Sequence, residues 1–439
     1  MSVIGLLQKL RYNRVFGLYA KNTAWMVAEK VVRVIVGLLV GVWVARYLGA
    51  DRYGGLCYAI SFIAIFSVFS NLGLDNIVVR ELVKGGGREE YILGASFFLK
   101  FVGAAIVVTG FLFYFIFYAE QKSESYLMLI LVVSLLFHSV NVLDFYFQSK
   151  TQNHYVAIAK MVGVLISASF KIVLILWQAP LVFFAFTVAV ESVVLAVMLI
   201  YFYRGFKTKS RWRVDKTTCR RLLTYSWPLM FSSFFIFIYM KIDQIMIGEI
   251  VGLQAVGYYA VAVQMSEVWY FIPVIISAVS FPVIVKLRES DIVTYELSIM
   301  KIYFFLVWFS IVMSALIYSV SDHLIRFFYG EAYHISGGVL KIHIWASIFV
   351  FLGVVASRWM LCEGLAVYSV YSTVFGAILN VVLNYFFLDD LGAKGAAFAT
   401  LISYFFSGYA CFFIFKKTRS NFYLMSSAFN PYMVYKFFK

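Results

Sequence analysis

The chain has 439 residues, of which 63% are hydrophobic and 13% charged, against about 45–50% and 25% in soluble globular domains. That balance excludes a soluble fold and describes a polytopic membrane protein with most of its length in the bilayer. The formal net charge of +15 collects between apolar stretches, where topology and anionic lipid account for it, so it does not imply nucleic acid.

The first 19 residues carry Lys9, Arg11 and Arg14 and are expected at the cytoplasmic surface. No cleavable signal is expected, because no short apolar core with a small-residue cleavage site precedes the first long apolar run. Apolar stretches then predict twelve membrane-spanning helices. Six lie near 20–46, 54–76, 93–118, 126–147, 157–177 and 181–203. Six more lie near 225–250, 255–281, 299–320, 338–361, 366–388 and 393–415. The first span is the most informative. Val31 to Ala45 is broken only by Arg33, yet Glu29 and Lys30 stand just before it. Each charge costs about 2.5–3.5 kcal/mol at a helix centre, so these three must face water, a partner or a ligand. Glu29 and Arg33 can pair at i,i+4, which leaves Lys30 unmatched.

Cation placement orients the map. With the N-terminus inside, the inner segments hold 22 Lys and Arg, against five in the outer turns. Both termini are therefore expected in the cytoplasm. The richest basic run, Arg204 to Arg221, falls between the two sets of six spans. The expected organisation is a six-helix lobe over 1–203, a basic cytoplasmic linker over 204–224, a second lobe over 225–415 and a cytoplasmic tail over 416–439. The lobes repeat one another. Aligning Gly49 with Gly252 also aligns Gly54 with Gly257, and TQNHY at 151–155 matches GLAVY at 364–368. The second register sets Ser167 opposite Asn380 and Lys171 opposite Asn384. An even number of spans in each half gives the repeats one orientation, so substrate is expected between them near mid-bilayer, moved by alternating access.

Polar residues recur inside the spans. The first lobe holds Lys100 in SFFLKFVGAA and Lys171 in ASFKIVLIL; the second holds Lys241, Asp243, Gln264 and Glu267. Pro273 is expected to kink its helix, since it removes a backbone hydrogen bond and crowds the preceding turn. Asn380 and Asn384, at i,i+4, serve either as helix glue or as sugar contacts. Cys57, Cys219, Cys362 and Cys411 have no motif spacing and read as reduced packing residues, and the five histidines show no metal spacing. There is no phosphate-binding glycine loop before a Lys-Ser pair, and no metal or cofactor is implied.

The stretches NTAWMVAEK, VARYLGADRYG, NLGLDNIVVREL, KIDQIMIG, VGYYAVA, ILNVVLNYF and GAKGAAFATLIS resemble the O-antigen flippases. These form part of the polysaccharide-transport branch of the multidrug/oligosaccharidyl-lipid/polysaccharide (MOP) exporter superfamily, and the resemblance covers nearly the whole chain. It implies an all-α, MATE-like integral membrane fold in two pseudo-symmetric six-helix lobes. It also implies an activity: moving an undecaprenyl-diphosphate-linked oligosaccharide from the cytoplasmic to the periplasmic face of a bacterial inner membrane, in lipopolysaccharide biosynthesis. The partners would be that lipid-linked substrate, inner-membrane lipids and other polysaccharide-assembly proteins.

A diphosphate and acidic sugars need cations in a partly dehydrated lumen. Lys30, Arg33, Lys100 and Lys171 are the candidates in the first lobe. Glu29, Asp243 and Glu267 are the candidates for ion coupling, whether by proton or sodium. Two other readings compete. A cation-coupled multidrug exporter of related fold would favour an acidic, aromatic lumen. A polytopic polysaccharide polymerase needs sizeable outer loops, whereas the longest here, near 321–337, holds one Arg.

Overall fold

A computed structural model describes residues 3–85, 88–117, 123–205 and 211–432. Lys122, Lys207, Lys209, Lys436 and Lys439, counted above in the topology, lie outside the described residues, as do the side chains of Lys9, Arg11 and Arg14. Every described element is helical. The first eight are α1 (Val3–Asn71), α2 (Asp75–Lys84), α3 (Glu89–Phe117), α4 (Ser123–His138), α5 (Val142–Ser149), α6 (Asn153–Leu176), α7 (Leu181–Gly205) and α8 (Lys216–Ile250). There follow α9 (Leu253–Glu267), α10 (Phe271–Ser290), α11 (Ile292–Tyr329), α12 (His334–His343), α13 (Ala346–Cys362), α14 (Ala366–Leu391) and α15 (Ala393–Phe405). Two short helices, α16 (Cys411–Ile414) and α17 (Arg419–Ala428), complete the series.

Among the described residues, ten helices are long and apolar enough to cross a membrane. An eleventh span arises if Glu331–His343 and Ala346–Cys362, bent by 48°, count as one. The first of the ten, Ala24–Lys84, runs for 61 residues. Inside it Gly49 has φ 75° and ψ 168°, a conformation that a side chain would strain. The first two expected spans lie on either side of that glycine. The protein is thus an all-α, multi-pass membrane protein. One expectation fails locally: the stretch 321–337 is not a loop, since α11 continues to Tyr329 and a short 3-10 turn at Glu331–Tyr333 leads into α12. Its apolar residues keep helical spacing to Ile325, and Gly330, at φ 86°, supplies the stop.

The chain divides into two compact units, one of residues 1–41 and 66–233, the other of 42–65 and 234–439. In the first, Leu74, Val78, Leu93, Val142, Phe147 and Leu199 form a core in which each is nearly or wholly buried. Thr151 adopts φ 56°, unusual for a β-branched residue. The Asn22 amide donates to its carbonyl. Gly364, its counterpart in the repeat register, has φ 70°. The same turn geometry therefore recurs, with glycine in one copy and a tethered threonine in the other.

In the second unit, Tyr295, Tyr303, Leu306, Phe351, Leu352 and Ala356 are buried around α11 and α13. Here the two glycine turns aligned in sequence meet. A Cβ on Gly54 would lie 1.8 Å from the Leu253 carbonyl oxygen, and one on Gly257 would lie 2.0 Å from that of Ala50. Each hairpin lacks a side chain where the other's backbone passes, so the backbones touch directly. Tyr53 donates to Gln264 at 3.1 Å, Ser61 to Gln244 at 2.7 Å and Tyr333 to the Ala45 carbonyl at 2.8 Å, fastening the 42–65 hairpin.

Candidate functional site

In the first unit, Arg33 is the centre of a charged group. Its Nε donates to Glu29 at 2.9 Å and its Nη1 to Glu191, on α7, at 3.0 Å. These contacts use two of the five N–H donors of the guanidinium. The i,i+4 pair expected from sequence is present, and Glu191, one of the acids sequence offered as a partner for these cations, supplies the second contact. Lys171 lies within electrostatic reach of the same Glu191. Lys30 and Arg33 are both exposed. Arg33 and Lys171 thus share a neighbourhood with two carboxylates, and Lys30 stands three residues before Arg33 on the same helix.

Lys100 is placed differently. Its side chain is 1% exposed, paired with Asp75 at 3.4 Å, with the ammonium 4.6 Å from the centre of the Phe145 ring. Burying an ammonium is costly unless it is paired, and the carboxylate and ring face together meet that need. Asp144 accepts from Lys160 and from Gln148, both at 2.8 Å. Lys100 therefore stands within the packing of its unit and not on an open cationic face.

In the second unit, Asp243 on α8 is 3% exposed. Its Oδ2 accepts from Tyr259 at 2.6 Å and Thr400 at 2.7 Å, and its Oδ1 accepts from the Asn384 amide at 2.6 Å. Asn384 also donates to Asn380 Oδ1 at 3.1 Å, while its own Oδ1 is buried without a partner. Four helices, α8, α9, α14 and α15, converge on one carboxylate. The result is an oxygen-rich cluster of carboxylate, carboxamide and hydroxyl groups, the donor types that hold a proton or a hard cation.

Glu267 ends α9, within electrostatic reach of both Asp243 and Lys241. A 3-10 turn at Val268–Tyr270 follows, and then α10. That break lies one turn before Pro273, where a kink was expected. Proline has no N–H to bond the Trp269 carbonyl one turn earlier, so the helix tightens there. Glu29 belongs to the first unit and is not part of this acidic pair.

The repeat is unequal at this point. Ser167 and Thr187, opposite Asn380 and Thr400 in the second register, touch through a Ser167 donation to the Thr187 carbonyl at 3.1 Å. Where Asp243 stands, the first register puts Val40. Both copies keep the helix contact, and only the second adds the acid.

A family model for "Polysaccharide biosynthesis protein" matches residues 19–288. The chain belongs to this polysaccharide biosynthesis family. A MatE family model matches residues 228–386. A comparison with curated proteins finds no match by sequence.

Among solved structures, the family member is similar to an inward-facing multidrug resistance MATE family transporter of the MOP superfamily. The TM-score is 0.72 at 16% identity, covering 91% of this chain and 96% of that one. It is also similar to lipid II flippase MurJ in an inward closed conformation, with TM-score 0.70, 14% identity and coverage of 94% and 90%. A MOP superfamily transporter from Pyrococcus furiosus, described as having a binding pocket of reverse polarity, gives 0.56 at 14% identity, covering 93% and 97%. At these identities the likeness establishes the fold, which is MATE-like. The families and folds matched are those of transporters, not of catalysts.

Sequence reasoning named Glu191 among the possible partners of the first-lobe cations, but did not find Asp75, Tyr259 or Thr400 as partners. The last two lie in VGYYAVA and GAKGAAFATLIS, stretches through which the flippase resemblance was seen, so the signal was present as a motif without an assigned contact. Asn380 and Asn384, left between glue and sugar contact, bond to Asp243 and to each other.

Proposed function

We propose that this polysaccharide biosynthesis family member is a flippase for an undecaprenyl-diphosphate-linked oligosaccharide, an O-antigen repeat unit. It would carry this substrate from the cytoplasmic to the periplasmic face of a bacterial inner membrane by alternating access, with both termini in the cytoplasm. The observation that carries the reading is Arg33: a guanidinium on an exposed helix face, held by two carboxylates and flanked by Lys30 and Lys171, in a chain of this family. A diphosphate would take over the donors now given to Glu29 and Glu191 and bring charge of the same sign. Lys100 joins this set only if its pair with Asp75 opens.

Asp243, with Glu267 beside it, is the proposed coupling group. Its carboxylate has three donors, and the free Asn384 Oδ1 adds a further oxygen within the cluster. Proton or sodium binding there would remove a buried negative charge, and that change is of the size that shifts helix packing. Other polysaccharide-assembly proteins are natural receivers of the product.

A multidrug exporter remains the second reading, favoured by the MatE match over 228–386 and by the acidic pair Asp243 and Glu267. Deleting the protein and following lipid-linked oligosaccharide separates the two. Repeat units trapped on the cytoplasmic leaflet support the flippase; normal export with raised sensitivity to cationic drugs overturns it.

A further inference from the structure

The second unit contains a cavity of about 310 Å³ that none of the residues above line. It opens among α8, the 3-10 turn at Val268–Tyr270, α13, α14, α15, the π-helical turn at Phe406–Ala410 and α16. Its wall carries rings from Tyr239, Tyr270, Tyr404, Phe349 and Phe412, and hydroxyls from Ser357, Ser369, Ser372, Thr373 and Ser407. No charged side chain lines it among the described residues. Tyr239 and Tyr404 pack with ring centres 4.6 Å apart. The Tyr270 hydroxyl is buried without a well-formed hydrogen bond.

The glycines on the wall make the room. A Cβ on Gly408 would collide with the Phe349 carbonyl oxygen at 2.5 Å, so the π turn lies flush against α13. At Gly353 the nearest atom to a Cβ would be the Gly408 Cα at 3.8 Å. Turns of π-helix recur at functional sites, where they set side chains off the regular helical rows. The tyrosines also stand near the acidic cluster. Tyr239 precedes Asp243 by one turn, Tyr404 follows Thr400 by one turn, and Tyr270 follows Glu267 by three residues.

We infer that this cavity is a subsite for one neutral sugar ring of the lipid-linked oligosaccharide, an assignment that rests on the flippase reading and deepens it. Three features select this ligand. Flat rings suit the apolar C–H face of a pyranose, while hydroxyls and a free phenol suit its rim. Ser357, Ser372 and Thr373 already donate to backbone carbonyls and Ser407 pairs with Tyr239, so their oxygens face the cavity as acceptors, which the hydroxyl protons of a sugar can use and an acyl chain cannot. A lipophilic cation would seek a carboxylate, and none lines the wall. The volume is at the lower end for small-molecule sites, about 300–1,000 Å³, enough for a single sugar residue.

The test uses the full chain in lipid nanodiscs. Three probes are titrated: undecaprenyl diphosphate bearing the native oligosaccharide, undecaprenyl diphosphate alone, and tetraphenylphosphonium. Wild type should bind the sugar-bearing lipid at least tenfold more tightly than the bare one. Gly353→Leu, which fills the cavity from a position with room for a side chain, should erase that increment and leave affinity for the bare lipid unchanged. Tyr270→Phe removes one oxygen without changing shape and should lose several-fold of the increment, so the outcome does not depend on the bulkier variant folding. An increment that survives both substitutions, or no increment in wild type despite tight binding of the bare lipid, overturns the subsite and leaves the flippase reading standing. Failure of wild type to bind either lipid overturns both. Loss of tetraphenylphosphonium binding alone in Gly353→Leu would make the cavity a drug site and overturn the inference.

Discussion

Arg33 and Asp243 show how a single charge is made tolerable in a membrane segment. Arg33 divides its donors between Glu29 and Glu191, and Asp243 collects donors from three helices. Arg33→Ala removes both the charge and the planar fork, while Arg33→Lys keeps the charge. Export is expected to fall most for Ala and in part for Lys at unchanged protein level. A lost charge-assisted contact of about 1.5–3 kcal/mol corresponds to roughly tenfold or greater weakening of substrate binding. Full complementation by Arg33→Ala would reduce the residue to a structural partner of its two acids. For Asp243→Asn and Glu267→Gln, ion-driven flux in proteoliposomes is expected to be abolished by at least one, with the fold retained because the amides are near-isosteric. Flux unchanged in both would show that neither carboxylate is the coupling group. Asp243→Leu should instead destabilise the protein, since each buried donor stranded by the change costs about 1–3 kcal/mol.

At the scale of elements, the reciprocal approach of Gly54 and Gly257 is the tightest constraint. The atoms facing their absent side chains are backbone carbonyls at 1.8 and 2.0 Å, which cannot rotate away. Gly54→Ala is expected to lower the thermal midpoint by several degrees, in line with about 1–3 kcal/mol for overpacking. Gly37→Ala serves as the control, because no atom lies within 4 Å of its Cβ position. An unchanged midpoint for Gly54→Ala would mean that the hairpins separate at little cost.

A second device ties helix ends together. Arg288 donates to Glu363 through Nε at 2.7 Å and Nη2 at 3.0 Å, and Tyr295 adds a bond of 2.9 Å. Burial pushes the Glu363 carboxyl up, but the Arg288 and Tyr295 hydrogen bonds and the guanidinium charge outweigh it, so the carboxyl sits below its ordinary value of 4.5. A depressed carboxyl stabilises the fold above its unfolded value and loses that contribution as pH falls through its folded one. Wild type should therefore exceed Glu363→Gln in thermal stability near pH 7 and converge with it well below pH 4.5. Because the Arg288 side of the pair is exposed to screening, the gap should be small. A gap that persists into acid would assign it to packing.

For the whole molecule, the proposed topology puts the basic segment between the two sets of six spans in the cytoplasm. A reporter fused near Lys209, outside the described residues, should be active only on the inner side, and activity on the outer side would overturn that arrangement. The division into units also crosses chain order. Residues 42–65, which sequence alone groups with the first six spans, pack compactly with residues 234–439. Helix-breaking at Gly49 makes this possible, since it separates the direction of one helix from that of the next.

Much was legible without coordinates. Spans were visible because hydrocarbon demands a run of apolar residues of fixed length. The repeat was visible because Gly49, Gly54, Gly252 and Gly257 answer to backbone geometry that few other residues satisfy. Buried charges were visible because they are rare in such runs, and the i,i+4 pairing of Glu29 with Arg33 because helical periodicity fixes it. What spacing could not decide was which partner on another helix each charge meets. That Arg33 meets Glu191, that Lys100 turns inward to Asp75 and Phe145, and that Asp243 draws Tyr259, Asn384 and Thr400 together all depend on how helices pack. The uncharged cavity of the second unit was equally hidden. It is made of common tyrosines, serines and glycines, and only tertiary contact sets their rings and hydroxyls around one space.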